Sequence, residues 1–79
     1  MPNQAVPRGL TANIGANVIA GNLQVIGVAT PYTISINGAA ATAHVAAVAV
    51  PDTYAINNQT VSVTNTTATP GPDNLTLSW

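Results

Sequence analysis

The stretch that decides the fold is PYTISINGAAATA, which covers residues 31–43. Large apolar residues alternate with Thr and Ser over residues 32–36, and this period of two predicts a strand with one buried face. Asn37-Gly38 follows and predicts a tight hairpin turn, because a type I′ turn needs positive φ at both central positions. Large side chains then oppose small ones across the predicted turn: Ile36 and Ala39, Ile34 and Ala41, Tyr32 and Ala43.

Residues 39–50 form the longest apolar run, interrupted only by Thr42 and His44. The preceding hairpin turn, together with Val45, Val48 and Val50, favours a strand in this run. Seven of these twelve residues are Ala, the best helix former, so a short Ala-rich helix stays open as the alternative. The run is shorter than the ~20 residues that a membrane-spanning helix needs, and we expect no membrane partner.

The rest of the chain shows further short alternating patterns separated by turn residues. Residues 10–20 alternate and predict a strand, and Gly21-Asn22 predicts a turn that folds this strand back on the next. Further strands are predicted at residues 53–56, 61–64 and 75–79, with dense turn chemistry at residues 70–74. Six or seven short strands at this spacing predict an all-β fold, a small antiparallel sandwich or barrel.

The first nine residues differ from the rest of the chain. Pro2 and Pro7 cannot donate backbone hydrogen bonds, and nothing in residues 1–9 alternates. We predict an extended N-terminal arm without regular structure at residues 1–9 and a single β-domain at residues 10–79, because 79 residues suffice for one small domain. The arm is expected to dock on a neighbouring molecule, so its deletion should leave the β-domain folded. No secretory signal is expected in these residues.

Charge is scarce. Arg8, Asp52 and Asp73 are the only charged side chains, where about twenty are usual in a domain of this length. One cation neutralises about one phosphate, which excludes nucleic acid as an electrostatic partner and removes any polybasic attraction to anionic lipid. Thr, Asn, Gln and Ser contribute 26 residues instead, so the surface is expected to consist of hydroxyl and amide groups. Cys is absent, which excludes disulfides and thiolate chemistry.

Residues suited to catalysis are few and lack a motif. His44 is the only imidazole, Asp52 and Asp73 are the only carboxylates, and no Gly-x-Ser-x-Gly turn presents a nucleophile. The serines that could act are Ser35, Ser62 and Ser78. We expect no enzyme, no cofactor and no metal site, because zinc needs three or four ligands. His44 is predicted to pack in the fold or to lie at a subunit contact.

Two polar patterns have plain explanations. Asn58, Asn65 and Asn74 each begin a glycosylation acceptor pattern, as an Asn- and Thr-rich composition produces by chance. Hydroxyl residues alternate along residues 60–66, and we expect them to form the solvated face of one strand.

The predicted core is thin and the predicted strand edges lack charge. Ala and Val supply 23 of the 37 hydrophobic residues, and Phe is absent. Native proteins usually protect strand edges with charged residues or cover them. Both features favour burial of the chain against other copies or a larger surface, and so a homo-oligomer.

A short Pro-containing arm, an Ala-, Thr-, Val- and Asn-rich β-domain, and the absence of Cys occur together over the whole chain. In these features the chain resembles the capsid decoration (cement) proteins and head-fibre base proteins of tailed bacteriophages. The resemblance implies a non-enzymatic structural protein on the capsid exterior of a virion. It would bind the major capsid protein or another shell protein, often as a trimer, with the arm as its contact.

The expected assembly interface combines the arm with the C-terminus. Prolines preset φ and lower the cost of ordering the arm, Val6 can fill an apolar pocket, and Arg8 can make a cationic hydrogen bond. The interface residues are Pro2, Val6, Pro7, Arg8 and Trp79. The alternative is an extracellular β-module of an adhesin or of a strand-donating fibre, in which the arm completes the sheet of the next subunit.

Overall fold

The computed structural model describes residues 2–47, 49–67 and 74–79, and these residues form two antiparallel four-stranded sheets packed face to face. The strands are β1 (Asn3–Pro7), β2 (Thr11–Ile14), β3 (Ala20–Ile26), β4 (Thr30–Ile36), β5 (Thr42–Ala46), β6 (Asp52–Asn57), β7 (Val61–Asn65) and β8 (Asn74–Ser78). The prediction of an all-β sandwich is confirmed. The helix alternative for residues 39–50 is wrong, because β5 lies there and the described residues contain no helix.

The strand order is β1-β8-β3-β6 in the first sheet and β2-β7-β4-β5 in the second. We call these sheet A and sheet B. Four connections cross between the sheets at the same end of the sandwich: β1 to β2, β3 to β4, β5 to β6, and β7 to β8. The described residues of these connections are 8–10, 27–29, 47, 49–51 and 66–67, and we call this end the loop end.

The core lies between the sheets and follows the period-two pattern. β4 and β7 alternate buried and half-buried residues along their length, as a strand with one face toward a core does. The fully buried members with the largest volumes are Tyr32, Ile19, Leu23, Ile56, Leu75 and Leu77. The strands predicted at residues 53–56, 61–64 and 75–79 are confirmed as β6, β7 and β8. Of the turn predicted at residues 70–74, all but Asn74 lies outside the described residues.

The N-terminal arm corrects the sequence interpretation, because Asn3–Pro7 is not a separate arm but strand β1 of sheet A. It pairs antiparallel with β8, and Val6 faces the core with only 1% of its surface exposed. The prolines suggested a segment without regular structure, but an edge strand tolerates a proline that lacks an N–H, and β1 is an edge strand. In addition, Val6 is the one buried residue of β1, so the sequence of this strand shows too little apolar alternation to be recognised.

The strand predicted over residues 10–20 is confirmed only for Thr11–Ile14, which form β2, and the turn predicted at Gly21-Asn22 is wrong. β2 ends at Ile14, and the chain turns through Asn17, at φ 65°, before it crosses to sheet A. Gly21 lies inside β3, opposite Ile56, with φ 147°, a value that only Gly adopts easily. The alternation over residues 16–20 rested on Ala, which is small enough to be placed on either face.

The hairpin between β4 and β5 is confirmed, but its register is shifted by one residue. Asn37 and Gly38 have φ of 55° and 75°, and Ala39 N–H donates to the Ile36 carbonyl at 3.0 Å, as expected for a tight turn. The paired residues are Ile34 with Thr42, Thr33 with Ala43 and Tyr32 with His44. Residues 39–41 contain only Ala, so no large side chain fixes the register after the turn.

A buried amide joins the two sheets where β1, β2 and β7 meet. Asn65 Nδ2 donates to the Val6 carbonyl at 2.9 Å, and Asn65 Oδ1 accepts from Thr67 N at 3.1 Å and from Thr67 Oγ1 at 2.7 Å. Its backbone bonds Gly9 and Leu10 at 3.0 Å each. Asn65 is almost fully buried, so its glycosylation acceptor pattern is inaccessible in the folded chain.

We predict that β1 is required for folding. Val6→Asp places a carboxylate in the core, whereas Ala5→Asp places the same group on the exposed outer face of the same strand. Burying a Val side chain contributes about 1.5–3 kcal/mol, a large part of the stability of a domain this small. Thermal unfolding followed by circular dichroism should show loss of the cooperative transition for Val6→Asp and near-normal unfolding for Ala5→Asp.

Deleting residues 1–9 should have the same effect as Val6→Asp, since it removes Val6 and leaves β8 with β3 as its one remaining strand partner. This reverses the outcome expected for a separate arm. A shortened chain that unfolds like the full chain would show that β1 does not belong to the folding unit.

Candidate functional site: the loop end, the β5 edge and the tyrosine cluster

The structure separates the residues expected to form one interface. Pro7 and Arg8 are exposed at the loop end, where β1 ends. Pro2 and Trp79 lie at the opposite end, where Trp79 N–H donates to the Pro2 carbonyl at 3.1 Å. Val6 is buried in the chain's own core, so it is not available to fill a pocket on a neighbour. The expected interface therefore divides into two distant exposed parts.

Exposed apolar side chains gather at the loop end. Leu10, Val28 and Val50 lie in three of its connections, and Val50 exposes 73% of its surface. Val45 lies close by on β5, opposite Pro31 near the start of β4. Val18, 49% exposed, is the large hydrophobic residue that lies at the other end of the sandwich. Because these exposed apolar residues share one end of the sandwich, we take the loop end as the candidate interaction surface.

The described residues of the apolar run 39–50, which leave out Val48, are also largely exposed, and the composition of the run did not predict this. β5 is the last strand of sheet B, and only its final residue, Ala46, is buried. Val45 exposes 61% of its surface on the outer side. Edge strands with apolar side chains and free backbone groups tend to pair with other chains.

A cluster of polar aromatic residues links the two sheets beside β5. Tyr32 Oη donates to Asp52 Oδ2 at 2.5 Å, and Tyr54 Oη lies 2.6 Å from Tyr32 Oη. Because the Tyr32 hydrogen is directed to Asp52, Tyr54 is the donor in the second bond. Tyr32 belongs to β4 and the other two residues belong to β6, so these bonds join sheet B to sheet A. Together with His44 they form what we call the tyrosine cluster.

His44 packs against both rings of the tyrosine cluster. Its imidazole stacks on Tyr32, with ring centroids 5.7 Å apart, and meets Tyr54 edge-on at 5.8 Å. Thr42 Oγ1 lies 2.9 Å from His44 Nε2. Of the two roles predicted for His44, packing within the fold is observed as these ring contacts, although the residue stays exposed, and a subunit contact stays a prediction. The described residues contain no group of three or more His, Cys, Asp or Glu side chains that could hold a metal ion.

The phenols of the tyrosine cluster stay neutral over a wide pH range. Burial raises the pKa of Tyr32 far above its usual value, and the hydrogen bond to Asp52 raises it further. Burial also raises the pKa of Tyr54, aided by the negative charge of Asp52 and opposed by its bond to Tyr32. Neutral phenols whose hydrogens are already committed serve as structural links between the sheets.

The candidate catalytic residues do not meet. Ser35 and Ser62 lie on the outer face of sheet B, where Ser35 Oγ donates to the Ala39 carbonyl and Ser62 Oγ donates to Asn13 Oδ1, both at 2.5 Å. Ser78 follows the buried Leu77 and therefore points away from the core of sheet A. His44 contacts the rings on the inner face, so these serines and the imidazole are separated by the sheets. Asp73 lies outside the described residues.

The outer face of sheet B is a neutral array of hydroxyl and amide groups. Thr11, Thr64 and Thr33 align across three neighbouring strands, and Thr11 Oγ1 lies 2.8 Å from Thr64 Oγ1. The next row holds Asn13, Ser62 and Ser35 and borders an open groove of about 420 Å³. The hydroxyl row of β7 therefore belongs to a face that spans several strands.

Comparison with protein-family models, with curated proteins and with solved structures found no significant match for this chain. Among the residues that the structure describes, no helix combines the length and hydrophobicity needed to cross a membrane.

We predict that the tyrosine cluster limits stability at alkaline pH. The folded-state pKa values of both phenols are raised, so their stabilisation is complete below the ordinary Tyr pKa of about 10 and is lost as pH rises above it. Both tyrosines of the chain belong to the cluster, so phenolate absorbance reports on it alone. Absorbance should rise only as the chain unfolds. Titration near pH 10 with the fold intact would contradict this.

Tyr32→Phe should lower the free energy of unfolding by about 1–3 kcal/mol, because it leaves Asp52 and Tyr54 without their buried partner. Tyr54→Phe is the matched control, since it keeps the bond between Tyr32 and Asp52 and should cost less. Denaturant unfolding at neutral pH measures both. Equal losses for the two variants would show that the Tyr32 hydroxyl has no special role.

Proposed function

We propose that the protein is a non-enzymatic structural protein that binds the exterior of a virion capsid as a decoration protein and stabilises the shell. The observation that carries this proposal is the neutral surface with its exposed apolar loop end. Leu10, Val28 and Val50 would be costly to leave in water, and a shell protein would cover them.

The proposed contact surface is the loop end, with the exposed Pro7 and Arg8 at its margin. The proposed surface includes Pro7 and Arg8 from the expected interface. It excludes Val6, because Val6 is buried in the core of its own chain. Pro2 and Trp79 lie at the far end and are assigned no role in this contact. Partners remain the major capsid protein or another shell protein, with neither nucleic acid nor membrane.

A decoration protein can stabilise a shell by binding alone, without catalysing a reaction. A ligand that binds the assembled state better than free subunits adds free energy to the assembly, and repetition by symmetry multiplies the effect. Apolar contacts and hydrogen bonds between neutral groups depend little on ionic strength, whereas exposed ion pairs are screened. Attachment should therefore be nearly independent of salt.

A second candidate is a module of an extracellular adhesin or of a fibre built by strand addition. The observation that favours it is the exposed β5 edge, which can accept a strand from another chain. β1 is not the donor strand in this candidate, because it already pairs with β8 of its own chain.

The first test is purification from the native source. Co-sedimentation with virus-sized particles, at a fixed ratio to one major shell protein, is the expected result. Co-purification with cell-surface fibres would replace the proposal with the second candidate. Recovery as a free protein would reject both.

The second test locates the contact on the particles so obtained. Val28→Asp and Val50→Asp should weaken binding at least about tenfold, since each introduces a charge into an apolar contact. Val18→Asp is the matched control, because Val18 is comparably exposed at the opposite end. Binding of the unaltered chain should change little between about 50 mM and about 500 mM salt. Normal binding by both loop-end variants would overturn the assignment of the contact.

A further inference from the structure

In the part of the chain that the structure describes, four strands lie at sheet edges, and among them only β5 lacks a feature that prevents pairing with another chain. Natural proteins protect edges with proline, with very short strands or with charge. β1 contains Pro7, β2 has four residues, and β6 begins with Asp52, which points inward to the tyrosine cluster. β5 has the sequence Thr-Ala-His-Val-Ala and contains none of these devices.

β5 is exposed on both of its faces. Thr42 and His44 lie on the inner face and Ala43 and Val45 on the outer face, and all four are exposed. The backbone groups on its free side have no strand partner among the described residues. A strand that pairs with this edge must be uncharged and must cover apolar side chains, and β5 itself meets both conditions.

We propose that β5 pairs antiparallel with β5 of a second copy of this chain, about a twofold axis through His44. The two B sheets then form one continuous eight-stranded sheet. This register pairs all five residues of each strand and sets Ala43 opposite Val45 of the partner subunit, so that a small side chain meets a larger one on the outer face. A twofold contact is isologous and closes at two chains. It therefore differs from the trimer that the resemblance implies.

The small area of this contact limits the affinity that we expect for the dimer. A standard interface buries about 800 Å² per partner, roughly a fifth of the 4340 Å² that this chain exposes. A five-residue strand pair covers less, so association is expected at high protein concentration. The inference goes beyond the proposed function, and its test needs no shell.

The first experiment measures the mass of the isolated chain by sedimentation equilibrium from about 10 µM to about 1 mM, the range in which a contact below the standard size is populated. The mass should rise from 7.9 kDa toward twice that value. Val45→Lys should abolish the rise, because lysine on an edge opposes strand pairing. Val18→Lys is the matched control, since Val18 is 49% exposed and lies between β2 and β3 at the opposite end of the sandwich from Val45. It should dimerise normally.

The second experiment tests the register. Ala43→Glu and Val45→Lys should each remain monomeric alone, and a mixture of the two should dimerise, because Glu and Lys then face each other across the axis. Circular dichroism of each variant confirms that it is folded.

A mass of one chain at every concentration, a mass of three chains, or dimers that persist in Val45→Lys would each overturn the proposed β5 contact. Monomeric single variants that fail to associate when mixed would overturn the register through His44.

Discussion

The buried amide of Asn65 is the interaction on which the corner of the sandwich depends. It bonds the carbonyl of Val6 in sheet A from a position on β7 in sheet B, and its oxygen holds Thr67 at the same time. A buried amide is costly unless its hydrogen bonds are made. β1, the end of β7 and the chain after it must therefore take their places together, which explains why nine apparently separate residues belong to the fold.

The opposite flank of the sandwich is joined by a second cross-layer contact, the tyrosine cluster. Tyr32 and His44 from sheet B meet Asp52 and Tyr54 from sheet A. Of the fourteen buried hydrophobic residues of the described core, Ile and Leu supply seven and Val and Ala supply six. Apolar contacts of this kind have no preferred direction, so the buried polar contacts at both margins fix the orientation of the sheets.

The sequence predicted the strands whose alternation rests on large residues, such as β4, β7 and β8, and the turn at Asn37-Gly38. It failed where Ala carried the pattern, because Ala fits either face, and at Gly21, whose positive φ serves a strand instead of a turn. The exposure of β5 could not be predicted, since it depends on β5 being an edge strand, and strand order is set by distant pairings. The same holds for the tyrosine cluster, whose members meet only after both sheets have formed.

The geometry of the fold constrains how the proposed shell binding and the proposed pairing through β5 could combine. Antiparallel pairing through β5 directs the two loop ends in opposite directions, because the loop end lies at the C-terminal end of β5 in each copy. One dimer cannot place both loop ends on the same surface, so pairing adds no avidity toward a single shell. A shell that binds dimers would hold one chain through its loop end and present the loop end of the other chain outward. On a shell that binds single chains, each β5 edge would stay free. The β5 strands of two neighbouring copies could then pair only if the shell held these two chains in opposite directions.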